Sequence, residues 1–116
     1  MTDRNIQTAD TRLLKYREQH KHRLNYMPWL YWSLKPKNRG WADEWQKEYQ
    51  AYLMDMETDE IGENSFISPL AHIFAEPGRK IIIGDNTFIA ADCTLHGPLE
   101  IGNEVAINHH CILDGG

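Results

Sequence analysis

Acidic residues are scarce at one end of this chain, and basic residues at the other. Residues 1–40 hold three Asp/Glu against nine Lys/Arg, and residues 41–116 hold three Lys/Arg against fourteen Asp/Glu. The net charge of −5 therefore divides into +6 and −11. The simplest use of such a split is a basic arm docked on its own acidic remainder, and no nucleic-acid motif accompanies the basic residues to suggest otherwise. No apolar run is long enough to cross a bilayer. Nothing resembles a secretory signal, which points to the cytoplasm. Cysteine is limited to Cys93 and Cys111, eighteen residues apart. Their spacing permits a disulfide, but buried thiols are the commoner state in such a compartment.

What the chain does have is a repeat, and a repeat must be read before anything else. From Ile61 an aliphatic residue returns every six positions, at Ile61, Ile67, Ile73, Ile83, Ile89, Leu95, Ile101, Ile107 and Leu113. A second column of small residues follows four places later, at Ser65, Ala71, Thr87, Cys93, Val105 and Cys111. A period of 3.6 fails, which excludes a helix over this stretch. Three hexads make one eighteen-residue turn of a three-sided prism with a short parallel strand on each face, and successive turns stack at about 4.8 Å. Gly62, Gly84 and Gly102 recur at one corner, where a tight bend is easiest for glycine. Four extra residues around Glu76-Pro77-Gly78-Arg79-Lys80 interrupt the register between Ile73 and Ile83.

These hexads resemble the hexapeptide-repeat, left-handed β-helix superfamily, best known for acyltransferases. The fold that the resemblance implies is mainly β: a left-handed parallel β-helix of about three coils over 61–116, preceded by an α-helical N-terminal extension over 1–60 that caps it. Members of the superfamily usually continue for several more coils, so a truncated coil is expected here.

Ahead of the repeat the period changes. Residues 1–9 are polar and expected to fray. Asp10 or Thr11 caps a helix to about Asn25, with Leu13, Leu14, Arg17 and Leu24 as a weak apolar stripe. Tyr26 to Leu34 is rich in aromatic rings, with Pro28 suited to the first turn of a short helix. Those rings are expected to pack on the open end of the first coil. The sharper reading is weak contact of residues 26–39 with an anionic membrane surface, with Lys35, Lys37 and Arg39 beside the rings. From Trp41 to about Glu57 a helical stripe of Trp41, Trp45, Tyr49, Tyr52, Leu53 and Met56 predicts a second helix that covers the coil end.

Two placements of histidine could carry chemistry. Ile107-Asn108-His109-His110-Cys111 resembles the hexad that bears the catalytic base in some acyl-ACP- and acyl-CoA-dependent members, with His110 where the family has Asp or Asn. The resemblance makes His109 the base and gives His96 and Asp114 an orienting or acceptor-binding role. It implies acetyl-CoA or another acyl-CoA as co-substrate, a sugar or small-molecule hydroxyl or amine as acceptor, and a homotrimer with its sites between coils. In the sugar O-acetyltransferase branch the base lies on a later coil, beyond Gly116. Alternatively, His96, His109 and Asp114 resemble the zinc ligands of γ-class carbonic anhydrases, shared there between subunits, with Asp114 in place of the last histidine. A third reading is a non-catalytic, truncated scaffold. The bland account of His96 and Asp114 is a pair on adjacent rungs, worth about 0.2–1 kcal/mol.

Overall fold

The structure, a computed structural model, describes residues 2–57 and 59–115, with side chains from residue 12 onward. Nine short strands follow two helices and a 3-10 turn: β1 (Glu60–Ile61), β2 (Phe66–Ile67), β3 (His72–Phe74), β4 (Ile81–Ile83), β5 (Phe88–Ile89), β6 (Thr94–His96), β7 (Leu99–Ile101), β8 (Ala106–Ile107) and β9 (Ile112–Asp114). They form three parallel sheets, β1-β4-β7, β2-β5-β8 and β3-β6-β9. This is a parallel β-solenoid of about three turns. The register pairs Ile61 with Ile83, Ile67 with Ile89 and Ile73 with Leu95, then Ile83 with Ile101, Ile89 with Ile107 and Leu95 with Leu113. The first step is longer because the insert between Ile73 and Ile83 is looped out, as the interrupted register predicts.

The aliphatic column is the inner core. Ile67, Ile89 and Leu95 are fully enclosed, with Ile73, Ile83, Ile101 and Ile107 close behind. The small column ties the turns together. Ser65 Oγ donates to the Gly84 carbonyl (2.8 Å) and accepts from the Thr87 N–H (3.1 Å), and Thr87 Oγ1 repeats both bonds toward Gly102 and Val105. Cys93 and Cys111 are free thiols, and burial pushes the Cys93 thiol pKa up.

The recurring glycines serve a different end from the bend expected of them. The left-handed corner residue is the one two places later: Asn64 (φ 57°), Asn86 (φ 52°) and Glu104 (φ 57°). Gly62 and Gly84 are needed because a Cβ there would lie 2.6–2.7 Å from backbone of the next turn, whereas Gly102 faces open space.

Helix α1 (Thr2–Tyr26) begins ahead of the Asp10 or Thr11 cap. Residues 2–9, expected to fray, form the first turns of this helix, and Met1 lies outside the described residues. The apolar stripe of α1 is corrected too: Leu13 and Leu14 are exposed, and among the described side chains burial comes at the C-terminal end, through Leu24 and Asn25. Pro28 does open a 3-10 helix, Pro28–Ser33. The rings pack on a flank of the solenoid and not on its open end. Tyr31 lies against Phe66 (5.4 Å between centroids) and Trp32 against Phe88 (5.1 Å), on the outer face of the β2-β5-β8 sheet.

Helix α2 (Pro36–Met56) buries Ala42, Gln46 and Leu53 and packs Trp41, Trp45 and Tyr49 against the cores, so four of the six stripe residues face inward while Tyr52 and Met56 are exposed. Gln46 is the polar member of that inward face. Its amide donates to the Ile67 carbonyl (3.0 Å) and accepts from the Ile67 N–H (2.8 Å), satisfying the edge of β2 as a neighbouring strand would. Gln50 adds a bond to the Ser65 carbonyl. The second helix therefore does cover the first coil, through an amide.

Among the described residues, the basic arm lies on the acidic coil with little help from charge. Lys21–Glu18 and Arg39–Asp43 are ion pairs within the helices, and Lys80–Glu60 lies within the coil. The halves meet through rings and hydrogen bonds, among them Trp32 Nε1 to the Asn64 carbonyl (2.9 Å) and Arg39 to the Asn64 side chain.

Candidate functional site

The β3-β6-β9 sheet presents Phe74, His96 and Asp114 on successive rungs, facing outward while Ile73, Leu95 and Leu113 face the core. Period-two alternation sets this: the neighbour of an inward residue must point out. The His96 imidazole stacks on Phe74 with centroids 5.0 Å apart and planes 26° apart. Its Nδ1 lies 3.2 Å from Asp114 Oδ1, the cross-strand pair expected from their spacing. Its Nε2 meets Glu76 Oε1 at 2.7 Å, a contact the sequence did not announce.

Glu76 comes from the looped-out insert. Gly78 turns that loop at φ 83°, and Arg79 N–H closes it on the Glu76 carbonyl (3.0 Å). Gly97 seats its base, since a Cβ there would press on Ile81 and Ala75. The backbone N–H of Glu76 itself and then the His96 ring hold this exposed carboxyl below its ordinary pKa. His96 is thus fixed in rotamer and plane, with a carboxylate at each nitrogen.

His109 stands elsewhere, exposed at the corner between β8 and β9. Its ring faces Tyr26 at 6.2 Å and His110 at 5.2 Å. The end of α1 is pinned over this corner: the Asn25 carbonyl accepts from the Ala91 N–H (2.6 Å), Ser68 Oγ donates to Asn25 Oδ1 (2.9 Å), and the Tyr26 hydroxyl reaches Asp92 (3.4 Å). His110 occupies a left-handed backbone position (φ 63°), as Asp92 does one turn earlier (φ 60°). Asn, Asp and His are the side chains most enriched there. His110 is therefore the conformational equivalent of Asp92 one turn earlier.

The structure accordingly brings His96 and Asp114 together and sets His109 on a separate corner beside Tyr26. Among the described residues, no group of three or more His, Cys, Asp or Glu side chains is placed to hold a metal ion. Both His96 nitrogens are already engaged by carboxylates, so one chain alone does not present His96, His109 and Asp114 as a zinc set. Sequence reasoning missed Glu76 and Tyr26. The signal for the first was its place in the insert, and for the second its place at the end of a helix. No described helix is long and apolar enough to cross a membrane.

In comparison with known proteins, no family model, no curated protein and no solved structure matches this chain.

Proposed function

We propose that the chain is a cytoplasmic acyltransferase that moves an acetyl or similar acyl group from CoA to a hydroxyl or amine of a sugar or small molecule. The observation that carries this reading is His109: an exposed imidazole on a solenoid corner, backed by Tyr26 and followed by a left-handed residue. In the reaction His109 takes the proton of the acceptor as its oxygen or nitrogen attacks the thioester carbonyl. The carbon–sulfur bond breaks, and the protonated imidazole returns the proton to the CoA thiolate. His96, held by Asp114 and Glu76, forms with them an exposed carboxylate–imidazole–carboxylate cluster whose carboxylate oxygens can accept from the hydroxyl or amine of the acceptor and orient it. A homotrimer would set this pair across a groove from a neighbour's corner. Weak contact of residues 26–39 with an anionic membrane belongs to the same proposal, supported by the exposure of Trp29 and Met27.

The test is release of free thiol from acetyl-CoA over a panel of sugar and amine acceptors. Acceptor-dependent release should fall by about 10²–10⁴ in His109→Ala. Equal rates in wild type and variant would remove His109 from the mechanism, and no release with any acceptor would favour the scaffold reading. The γ-carbonic-anhydrase-like alternative requires His96 to exchange a carboxylate partner for the metal and the ligand set to be completed across subunits. It predicts about one zinc per subunit, lost in His96→Ala or His109→Ala.

A further inference from the structure

Between α1 and the start of α2 lies a cleft of about 470 Å³, away from both histidine sites. Arg12 and Arg17 line it from α1, and Lys35 and Lys37 from the turn into α2. No carboxylate is among its walls within the described residues. None of these four cations takes part in a salt bridge among the described residues; the nearby acids Glu18 and Asp43 are engaged with Lys21 and Arg39. The first turn of α2 contains no acidic residue, and its N-cap is Lys35, with no side-chain cap. Lysines therefore crowd the end of a helix whose dipole is already positive, an arrangement that repels itself until an anion enters.

The remaining walls are apolar. Leu13 and Tyr16 each keep half of their surface exposed. Trp41 is fixed by its Nε1–H to Asn38 Oδ1 (3.1 Å), and the His20 ring connects it to Tyr16. Ring faces beside guanidinium and ammonium groups suit a ligand with one strongly anionic end and one planar or apolar end. Leu13 and Tyr16 thus leave apolar surface open at the cleft, whose volume falls in the range that holds a small molecule.

We infer that this cleft binds a phosphate ester carrying an aromatic or apolar group. Such chemistry is offered both by soluble nucleotides and by phospholipid headgroups. The experiment titrates the full chain with adenosine 5′-diphosphate and with pyrophosphate, following tryptophan fluorescence, and in parallel co-sediments it with phosphatidylcholine vesicles with and without phosphatidylglycerol. Lys35→Gln/Lys37→Gln is compared with Lys47→Gln/Arg79→Gln, which removes the same charge elsewhere. All four positions are exposed, and circular dichroism checks that each variant folds. Saturable binding of the diphosphate, tighter than pyrophosphate and weakened about tenfold or more in the first pair only, identifies a soluble ligand. Binding to phosphatidylglycerol vesicles alone, with the same dependence, identifies a headgroup. Absence of binding in both arms, or an equal loss in the control pair, overturns the inference. Neither outcome bears on thiol release by His109.

Discussion

The molecule has two hydrophobic cores, and they differ in how they are encoded. The inner one, around Ile67, Ile89 and Leu95, is built from one residue type returning every sixth position. The outer one gathers Leu24, Tyr31, Ala42, Phe66 and Phe88 from α1, the 3-10 helix, α2 and two strands, with no common period. The first is local and self-templating: each turn repeats the last, and a side chain needs only to match the one above it. The second is a single assembly of shapes. It exists because the outward Phe66 and Phe88 offer an apolar face that the aromatic 3-10 helix covers. A repeat can be read from one strand of text, whereas a docking surface can be read only once both partners are placed.

This difference can be broken from either side. The largest effects are expected from Phe66→Ala, about 3–5 kcal/mol, and Leu95→Ala, about 2–5 kcal/mol, since both side chains are fully buried. Urea unfolding followed by tryptophan fluorescence and by far-ultraviolet circular dichroism distinguishes them. Phe66→Ala should shift the fluorescence transition first, because the four tryptophans belong to the helical layer, while Leu95→Ala should shift both probes together. Coincident shifts in both variants would mean that the two cores are one cooperative unit.

Asp59 lies at the link from α2 into β1, 4 % exposed, its carboxylate reached by no full hydrogen bond among the described residues. Burial raises its pKa to about 6, only partly opposed by the Ile81 backbone. The folded state thus holds the proton more tightly than the unfolded chain, whose carboxyl titrates near 3.9. Stability from this group is complete below about pH 4 and declines as pH rises through 6. Asp59→Asn should gain up to about 3 kcal/mol at pH 7 and flatten the profile between pH 4 and 6. An unchanged profile would mean that the carboxylate is hydrated.

Gln46→Leu sharpens the comparison at the seam. It keeps the bulk but strips the Ile67 backbone of both partners, at a cost of about 1–3 kcal/mol, with faster amide exchange at Ile67. The smallest contrast is within the repeat itself. Gly84→Ala should cost about 1–3 kcal/mol by pressing on the next turn, and Gly102→Ala, facing open space, should stay within about 0.5 kcal/mol. Equal melting temperatures for the two would contradict the stacking role.

The coil was legible almost entirely, down to the four-residue insert, because the aliphatic and small columns obey one period. What the hexads could not tell was why glycine recurs, since crowding between turns leaves no mark in the text of a single turn. The inward face of α2 was legible in Trp41, Trp45, Tyr49 and Leu53, but hydrophobicity wrongly added Tyr52 and Met56 and gave no sign of Gln46, whose amide the backbone of β2 needs. Of the candidate site, the pairing of His96 with Asp114 follows from an eighteen-residue spacing. Glu76 and Tyr26 come from a loop and a helix end whose reach no periodicity fixes.

The central functional claim is that these coils associate so that the corner carrying His109 meets a neighbour's face. Size-exclusion chromatography with light scattering measures this directly. The account predicts a discrete species of three 13.5 kDa chains, on which acyl-CoA binding and zinc content are then determined. A clean monomer would contradict it, leaving His109 as a solvated corner residue.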